Sequence, residues 1–183
     1  VRSRLDWLVS YPKSGNTWVR LLLAAYMGRT PYRVELAADY GQLLYGAVSP
    51  VPVEKMTWGQ QVQCRGAALY HIAAERLEDP MILKSHNAYG GFAGIPLFSP
   101  QWCRKVVYVV RDPRDVLPSF AHHHGYDLEE AAEVMAETGA RLPGLDRGAQ
   151  HISSWSQHVG SWLQARETLD VLFVRYEDMH EDT

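Results

Sequence analysis

Four short apolar runs most constrain the fold of this chain, because two of them do not alternate with polar residues. They are predicted as strands over Leu5–Ser10, Met81–Lys84, Lys105–Val110 and Asp170–Arg175. In Val106–Val110 and Val171–Val174 every residue is apolar, a pattern typical of strands that are buried on both faces of a parallel sheet. The sequence therefore predicts a parallel sheet with both of its faces covered.

Helical patterns lie between these runs. They predict three helices, over Thr17–Met27, Leu128–Glu137 and Ser153–Glu167. The first segment is apolar almost all round, which predicts a buried helix. The third places Trp155, Val159 and Trp162 on one stripe, which we expect to face the core. Strands that alternate with helices predict an α/β fold with right-handed crossovers.

The composition narrows the function without identifying it. The chain has 183 residues, which suits one domain with a buried core. A net charge of −3 gives no overall positive field for nucleic acid, so an anion site has to be local. Cys64 and Cys103 form neither a metal spacing nor a disulfide framework, which favours a reduced, cytoplasmic setting. No apolar run reaches the length of a membrane span, so we expect no membrane partner.

The segment at residues 7–18 reads WLVSYPKSGNTW and predicts a strand, a short loop and the start of a helix. A helix N-terminus leaves N–H groups unpaired and carries partial positive charge, and both favour a bound phosphate. Gly15 lets the backbone approach an anion closely, and Lys13 adds a full positive charge. Three more side chains add donors: Ser14, Asn16 and Thr17. The pattern G-x-x-x-x-G-K-[ST] is absent, which disfavours an ordinary ATP or GTP site.

A second strand is predicted to run into a helix near Arg111. Pro113 suits the first turn of that helix. Arg111 stands at the carboxyl end of its strand, where open α/β sheets bind ligands. Its guanidinium can hold a phosphate through two parallel N–H donors. The alternative interpretation is a structural ion pair between Arg111 and Asp115.

The octapeptide YPKSGNTW closely resembles the loop Y-P-K-S-G-T-T-W of cytosolic-type sulfotransferases, with Asn16 in place of a threonine. The resemblance implies a P-loop-NTPase-like three-layer sandwich, with a central parallel sheet flanked by helices. It also implies transfer of a sulfuryl group from 3′-phosphoadenosine-5′-phosphosulfate (PAPS) to a hydroxyl or amine of a small-molecule acceptor, without a metal. The product would be 3′,5′-adenosine bisphosphate. By this resemblance the 5′-phosphosulfate is held by Lys13, Ser14, Gly15, Asn16 and Thr17, and Trp18 stacks on the adenine.

A segment after the second predicted strand, ILKSH, resembles the K-[TS]-H element of the same family. The resemblance implies that His86 is the general base that takes the proton of the acceptor. A histidine suits this work because its unperturbed pKa is about 6.5. Lys13 and Lys84 would neutralise the charge that develops on the sulfuryl oxygens.

Two later segments also resemble the family. RDPRDVLPS resembles R-[ND]-P-[RK]-D-x-x-x-S, which implies that Arg111 and Ser119 bind the 3′-phosphate. Pro118 directly precedes Ser119, and an interior proline kinks a helix, so we expect it to re-aim Ser119. VLFVRYEDM resembles V-L-x-[LV]-x-Y-E-D-[ML], which implies that Tyr176 meets the adenine edge. A plain core tyrosine is the alternative interpretation of Tyr176.

The resemblance predicts one sulfotransferase domain over residues 1–183. The family's C-terminal R-K-G loop is not among these residues, so we expect the domain to lack its C-terminal portion. The compact opening of the chain is shared with bacterial members that sulfate natural products, including glycopeptide antibiotics. The sequence does not fix the oligomeric state, and a homodimer is one of the alternatives.

The acceptor is not predicted, because residues 31–80 and 138–148 match no motif. Aromatic residues there would suit a flat or phenolic acceptor, but core packing explains them equally well: Tyr32, Tyr40, Tyr45, Trp58 and Tyr70. A run of three histidines, His122, His123 and His124, does not predict a metal site, because adjacent helical positions point in different directions.

Two other functions stay open from the sequence. A nucleoside or small-molecule kinase with a divergent phosphate loop would bind ATP with Mg²⁺. A binding domain that keeps the fold without turnover would bind the cofactor and transfer nothing.

Overall fold

The computed structural model describes residues 5–26, 45–46, 48–75, 82–92, 95–142 and 150–181. The strands along these ranges are β1 (Leu5–Ser10), β2 (Ile82–Ser85), β3 (Gly91–Phe92), β4 (Ile95–Pro96), β5 (Cys103–Val110), β6 (Arg141–Leu142), β7 (Gln150–His151) and β8 (Val171–Arg175). The helices are α1 (Asn16–Tyr26), α2 (Trp58–Glu75), α3 (Pro113–His124), α4 (Leu128–Ala136), α5 (Trp155–Ala165) and α6 (Tyr176–Glu181). A short 3₁₀ helix spans Val53–Lys55.

A parallel sheet in the order β2-β1-β5-β8 forms the centre of the fold. In its register Leu8 of β1 lies beside Lys84 of β2, and Ser10 lies beside Val109 of β5. Val110 in turn lies beside Arg175 of β8. The four predicted strands are thus confirmed, with ends that shift by one or two residues, and Met81 lies outside the described residues. Two separate antiparallel pairs, β3 with β4 and β6 with β7, complete the strands of the described ranges.

The sheet is buried on both faces at β1 and β5, as predicted for Val106–Val110. The same prediction is wrong for Val171–Val174, because Leu172 is 60% exposed on β8, the edge strand of the described sheet. On one face Val9 and Tyr108 pack in a core cluster with Trp162 of α5. On the other face Leu8 and Val109 pack against Val19 of α1. Successive residues of one strand therefore meet different helices, which gives the predicted three-layer arrangement.

The helix α1 is not buried all round, so that part of the prediction is wrong. Val19 and Ala24 are buried, but Leu21 is 44% exposed and Leu22 is 38% exposed. A helix that lies on a sheet buries only the stripe that faces the sheet. An almost wholly apolar sequence therefore leaves apolar side chains exposed on the far side of α1.

The helix α3 is bounded by clear start and stop residues. Asp112 caps its start by accepting a hydrogen bond from the backbone N–H of Arg114 at 2.8 Å, and Gly125 ends it with a φ of 72°. Pro118 lies inside α3, yet the helix continues from Pro113 to His124 without a break. None of the helices in the described ranges is both long and apolar enough to cross a membrane.

Candidate active site

The sheet order brings the singled-out segments to one edge. The loop at residues 11–15 follows β1, His86 follows β2, Arg111 follows β5 and Tyr176 follows β8. Because the strands are parallel in the order β2-β1-β5-β8, these segments leave the same carboxyl edge. The loop therefore lies between His86 on one side and Arg111 with Tyr176 on the other.

The loop after β1 has two residues in the left-handed region of the backbone. Lys13 has a φ of 65° and Gly15 has a φ of 95°. A non-glycine residue there costs about 1–2 kcal/mol, and such residues cluster at functional sites. A Cβ placed on Gly15 would lie 2.5 Å from Cδ2 of Tyr176. Gly15 is thus required by its φ and by the tyrosine ring packed on its backbone.

Arg111 fastens the strand edge to the loop. Its Nη1 donates to the carbonyl oxygen of Lys13 at 3.1 Å. Its guanidinium carbon lies 4.3 Å from the ring centroid of Tyr176, which is a cation–π contact. In the described part of the chain Arg111 does not pair with Asp115, whereas Arg114 pairs with Asp112 at 2.6 Å. The alternative interpretation, an ion pair between Arg111 and Asp115, is therefore wrong.

Donors in and beside the loop are buried without an acceptor among the described residues. They are the hydroxyls of Tyr11 and Ser14 and the Nε of Arg111, and Tyr11 packs in a core cluster with Phe120. A buried polar group without a partner costs about 1–3 kcal/mol, and a bound anion or water that accepts its hydrogen bond removes that cost. Ser14, Arg111, the positive Lys13 and the N-terminus of α1 provide donors and positive charge that fit bound phosphate or sulfate groups.

An aromatic cluster covers the side of the loop that faces β8. The ring of Trp18 meets the ring of Tyr176 edge-on at 5.6 Å and the ring of His180 at 4.8 Å. His180 also lies 3.2 Å from the hydroxyl of Tyr176, measured from Nε2. Tyr176 starts α6, so His180 stands one turn later on the same helix. The family motifs in the sequence do not include His180.

Asn16 and Thr17 are engaged within the protein. The amide nitrogen of Asn16 donates to the carbonyl of Leu8 at 3.4 Å and to the hydroxyl of Ser10 at 3.3 Å. The hydroxyl of Thr17 accepts from Arg20 at 3.3 Å. The side chain of Asn16 thus ties the start of α1 to the end of β1.

His86 is held from two sides. Its Nδ1 lies 2.8 Å from the carbonyl oxygen of Ser10 and 3.4 Å from the hydroxyl of the same residue. A carbonyl oxygen only accepts, so Nδ1 carries the hydrogen and Nε2 keeps its lone pair. The backbone N–H of His86 donates to Oε1 of Gln150 at 2.6 Å. Burial and then the charge of Lys84 hold the pKa of His86 well below 6.5, so the ring is neutral at pH 7.

A second histidine lies behind His86. His158 of α5 is fully buried, and its Nε2 lies 3.2 Å from the carbonyl oxygen of His86. Its Nδ1 lies 2.8 Å from the hydroxyl of Tyr108. Because the carbonyl can only accept, Nε2 donates to it and Nδ1 accepts from the tyrosine. Burial lowers the pKa of His158 to about 3, which keeps this ring neutral.

Ser119 and the histidine run lie on α3. Ser119 is half-buried in the second turn of α3. The ring of His124 packs on Phe120 at 4.4 Å and stacks on Tyr126 at 5.6 Å. His123 meets His124 edge-on, at 4.9 Å and 85° between the ring planes.

The aromatic residues considered for a flat acceptor divide into three groups. Tyr32 and Tyr40 lie outside the described residues. Tyr45 is buried in the core, where its hydroxyl accepts from Arg65 at 2.9 Å. Trp58 lies under the guanidinium of Arg65 and also under that of Arg141 at 5.0 Å, and Tyr70 is 49% exposed. None of these contacts identifies an acceptor.

Comparison with known proteins gives a family match over nearly the whole chain. A family model described as "Sulfotransferase domain" matches residues 6–183. The chain is 28% identical to Sulfotransferase 2A1 of Rattus norvegicus, over 96% of the chain and 54% of that protein. It is 28% identical to Sulfotransferase 1A1 of Rattus norvegicus, over 97% of the chain and 55% of that protein. The chain therefore spans about half the length of the curated relatives it matches.

Solved structures match the fold over the whole chain. One is mouse sulfotransferase SULT7A1 complexed with PAP, with a TM-score of 0.54, 21% identity and 55% of that chain covered. Another is retinol dehydratase in a complex with retinol and PAP, with a TM-score of 0.56, 20% identity and 57% of that chain covered. Both likenesses cover 100% of the present chain. The predicted three-layer fold with a central parallel sheet is confirmed.

Proposed function

The chain belongs to the sulfotransferase family, and on this premise we propose that the protein transfers a sulfuryl group from PAPS to a hydroxyl or amine of a small-molecule acceptor. The observation that carries the proposal is the meeting of the anion loop, Arg111 and His86 at one edge of the sheet. PAPS supplies the activated sulfuryl group when bound, and 3′,5′-adenosine bisphosphate is the product.

The residues around the loop would hold the nucleotide. Lys13, the hydroxyl of Ser14 and the N-terminus of α1 provide positive charge and donors for the 5′-phosphosulfate. Gly15 keeps the loop close to Tyr176, and Asn16 with Thr17 keeps the start of α1 in place.

The side of the loop that faces Arg111 and Tyr176 would hold the adenosine and its 3′-phosphate. Arg111 supplies a fork of donors for the 3′-phosphate, and we propose that Ser119 adds a hydroxyl. The aromatic cluster of Trp18 and Tyr176 would take the adenine.

The side of the loop that faces His86 would hold the acceptor. His86 is neutral and presents the lone pair of Nε2, so it can take the proton of an acceptor hydroxyl. Such a base accelerates a reaction by about 10²–10⁴-fold. Lys13 and Lys84 would stabilise negative charge during transfer. None of these roles requires a metal ion.

Calorimetric titration with 3′,5′-adenosine bisphosphate tests the cofactor. The protein is expected to bind it, and Lys13→Ala and Arg111→Ala are expected to weaken the binding. Arg114→Ala is the matched control, because Arg114 is exposed and pairs only with Asp112 among the described residues. Tighter binding of ATP with Mg²⁺ than of the bisphosphate would favour a kinase instead.

Assays with PAPS and a panel of phenols, sugars and peptides test the reaction. Transfer to at least one acceptor is expected. Cofactor binding without transfer to any member of the panel would favour a binding domain without turnover. A single domain, a cytoplasmic location, a homodimer and a natural-product acceptor stay predictions.

A further inference from the structure

Two side chains of α5 hold the main chain at His86. His158 donates from Nε2 to the carbonyl of His86 at 3.2 Å. One turn later Trp162 donates from Nε1 to the carbonyl of Asn87 at 3.0 Å. Successive carbonyls after β2 are therefore bound by residues at i and i+4 of one buried helix face.

The segment is held on its other side as well. The backbone N–H of His86 donates to Gln150 at 2.6 Å, and the backbone N–H of Asn87 donates to the hydroxyl of Ser85 at 3.0 Å. With both main-chain polar groups of His86 bound, the position of its Cβ is fixed. The ring is then free only in its two side-chain torsions, and the carbonyl of Ser10 at 2.8 Å fixes these.

The orientation of His158 is itself determined by Tyr108. Tyr108 is fully buried on β5, and its hydroxyl lies 2.8 Å from Nδ1 of His158. The carbonyl of His86 only accepts, so the hydrogen of His158 lies on Nε2 and the hydroxyl of Tyr108 donates to Nδ1. The bond from Tyr108 thus holds the ring of His158 in the orientation that binds the carbonyl of His86.

We propose that His158 and Tyr108 are positioning residues that hold His86 in the orientation where Nε2 can act as a base. Two hydrogen bonds connect these residues: Tyr108 hydroxyl to the His158 ring, and the His158 ring to the carbonyl of His86. Both bonds join buried or half-buried groups. This inference rests on the proposed function of His86. A 1 Å misplacement of a reacting group can cost about 10²-fold in rate, so the contact has a measurable consequence.

Two substitutions of similar size separate positioning from packing. His158→Gln places an amide N–H near the position of Nε2 and keeps the donor to His86. His158→Asn places its amide near the position of Nδ1 and loses that donor. Trp162→Phe is the matched control, because it removes the neighbouring bond to Asn87 and leaves the bond to His86.

Two measurements distinguish the variants. ¹⁵N NMR of the imidazole reports the tautomer of His86. Steady-state assays with an acceptor from the panel above give the kcat and KM of transfer. Wild type, His158→Gln and Trp162→Phe are expected to show a single Nδ1–H tautomer of His86. His158→Asn is expected to show both tautomers and a kcat about 10- to 100-fold lower, with KM for PAPS and affinity for 3′,5′-adenosine bisphosphate unchanged.

A single Nδ1–H tautomer and a wild-type kcat in His158→Asn would overturn the proposal. If His158→Asn does not fold, Tyr108→Phe decides, since it removes the hydroxyl at Nδ1 and little volume. A second tautomer of His86 in Tyr108→Phe supports the proposal, and an unchanged single tautomer overturns it. Failure of the wild type to bind 3′,5′-adenosine bisphosphate would contradict the proposed function, and it is measured separately from the tautomer.

Discussion

The ring of Tyr176 lies against the backbone of Gly15, so close that a Cβ at position 15 would stand 2.5 Å from Cδ2 and 2.8 Å from Cε2 of the ring. The contact joins the loop after β1 to the start of α6 across the width of β5. Arg111 lies over the same ring and binds the carbonyl of Lys13. Three segments that are far apart in the sequence thus form one support for the anion loop.

Gly15→Ala is expected to weaken the binding of 3′,5′-adenosine bisphosphate and to destabilise the fold. The new methyl group would clash with Tyr176, and a φ of 95° is strained for alanine. Strain of this kind costs about 1–3 kcal/mol. Calorimetry and thermal unfolding measure the two effects.

Gly160→Ala is the control for Gly15→Ala. Gly160 lies within α5, and a Cβ there meets nothing within 4 Å. An alanine at a helix interior is expected to stabilise the protein by about 0.5–1 kcal/mol. Equal stability of Gly15→Ala and wild type would contradict the close contact of Gly15 with the ring of Tyr176.

The pKa of His86 is expected to rise when Lys84 loses its charge. Burial is the main cause of the low pKa, and Lys84 is the next, with smaller contributions from His158 and Arg20, while the carbonyl of Ser10 acts in the opposite direction. Lys84→Met removes one positive charge that disfavours protonation. NMR titration of His86 should show a midpoint that lies below 6.5 in the wild type and moves upward in the variant. No movement of the midpoint would contradict the electrostatic account.

The stability of the protein is expected to fall in mild acid, because His158 is buried and neutral. Its pKa is about 3 in the folded state and about 6.5 when unfolded. Below pH 6.5 the unfolded state binds a proton that the folded state does not, so acid favours unfolding down to about pH 3. At pH 5.5 the loss is about 1.2 kcal/mol relative to pH 7.

His158→Gln should reduce this pH dependence. Glutamine does not titrate, so the free energy of unfolding should decline less between pH 7 and pH 5 than in the wild type. His86 contributes in the same direction, so part of the dependence remains. Denaturant unfolding at several pH values measures the slope, and identical slopes in the two proteins would contradict the buried, neutral state of His158.

The sheet and the edge that carries the site could be predicted because short stretches of consecutive residues determine them. Continuous apolar runs such as Val106–Val110 predict doubly covered strands, and Gly15 with Lys13 predicts an anion loop. The helix α2 could not be predicted in this way. Its buried residues include Gln61 and Arg65, so polar side chains interrupt the apolar stripe. Tertiary hydrogen bonds, such as that of Arg65 to Tyr45, stabilise these positions instead.

The partners of His86 were also beyond local patterns. His158 stands on α5 beside the predicted stripe of Trp155, Val159 and Trp162. The positions of α5 that are buried are His158, Trp162 and Ala165. A histidine at a core position was a signal, but its partners Tyr108 and His86 are 50 and 72 residues away in the sequence. The packing of α5 on the sheet brings them together.

Sulfuryl transfer from labelled PAPS by His86→Asn tests the central claim most directly. Asparagine can keep the donor to the carbonyl of Ser10 but has no Nε2 to act as a base. The expected result is a kcat about 10²–10⁴-fold below that of the wild type, with the affinity for 3′,5′-adenosine bisphosphate unchanged. Transfer by His86→Asn at the wild-type rate would contradict the assignment of His86 as the base of this site.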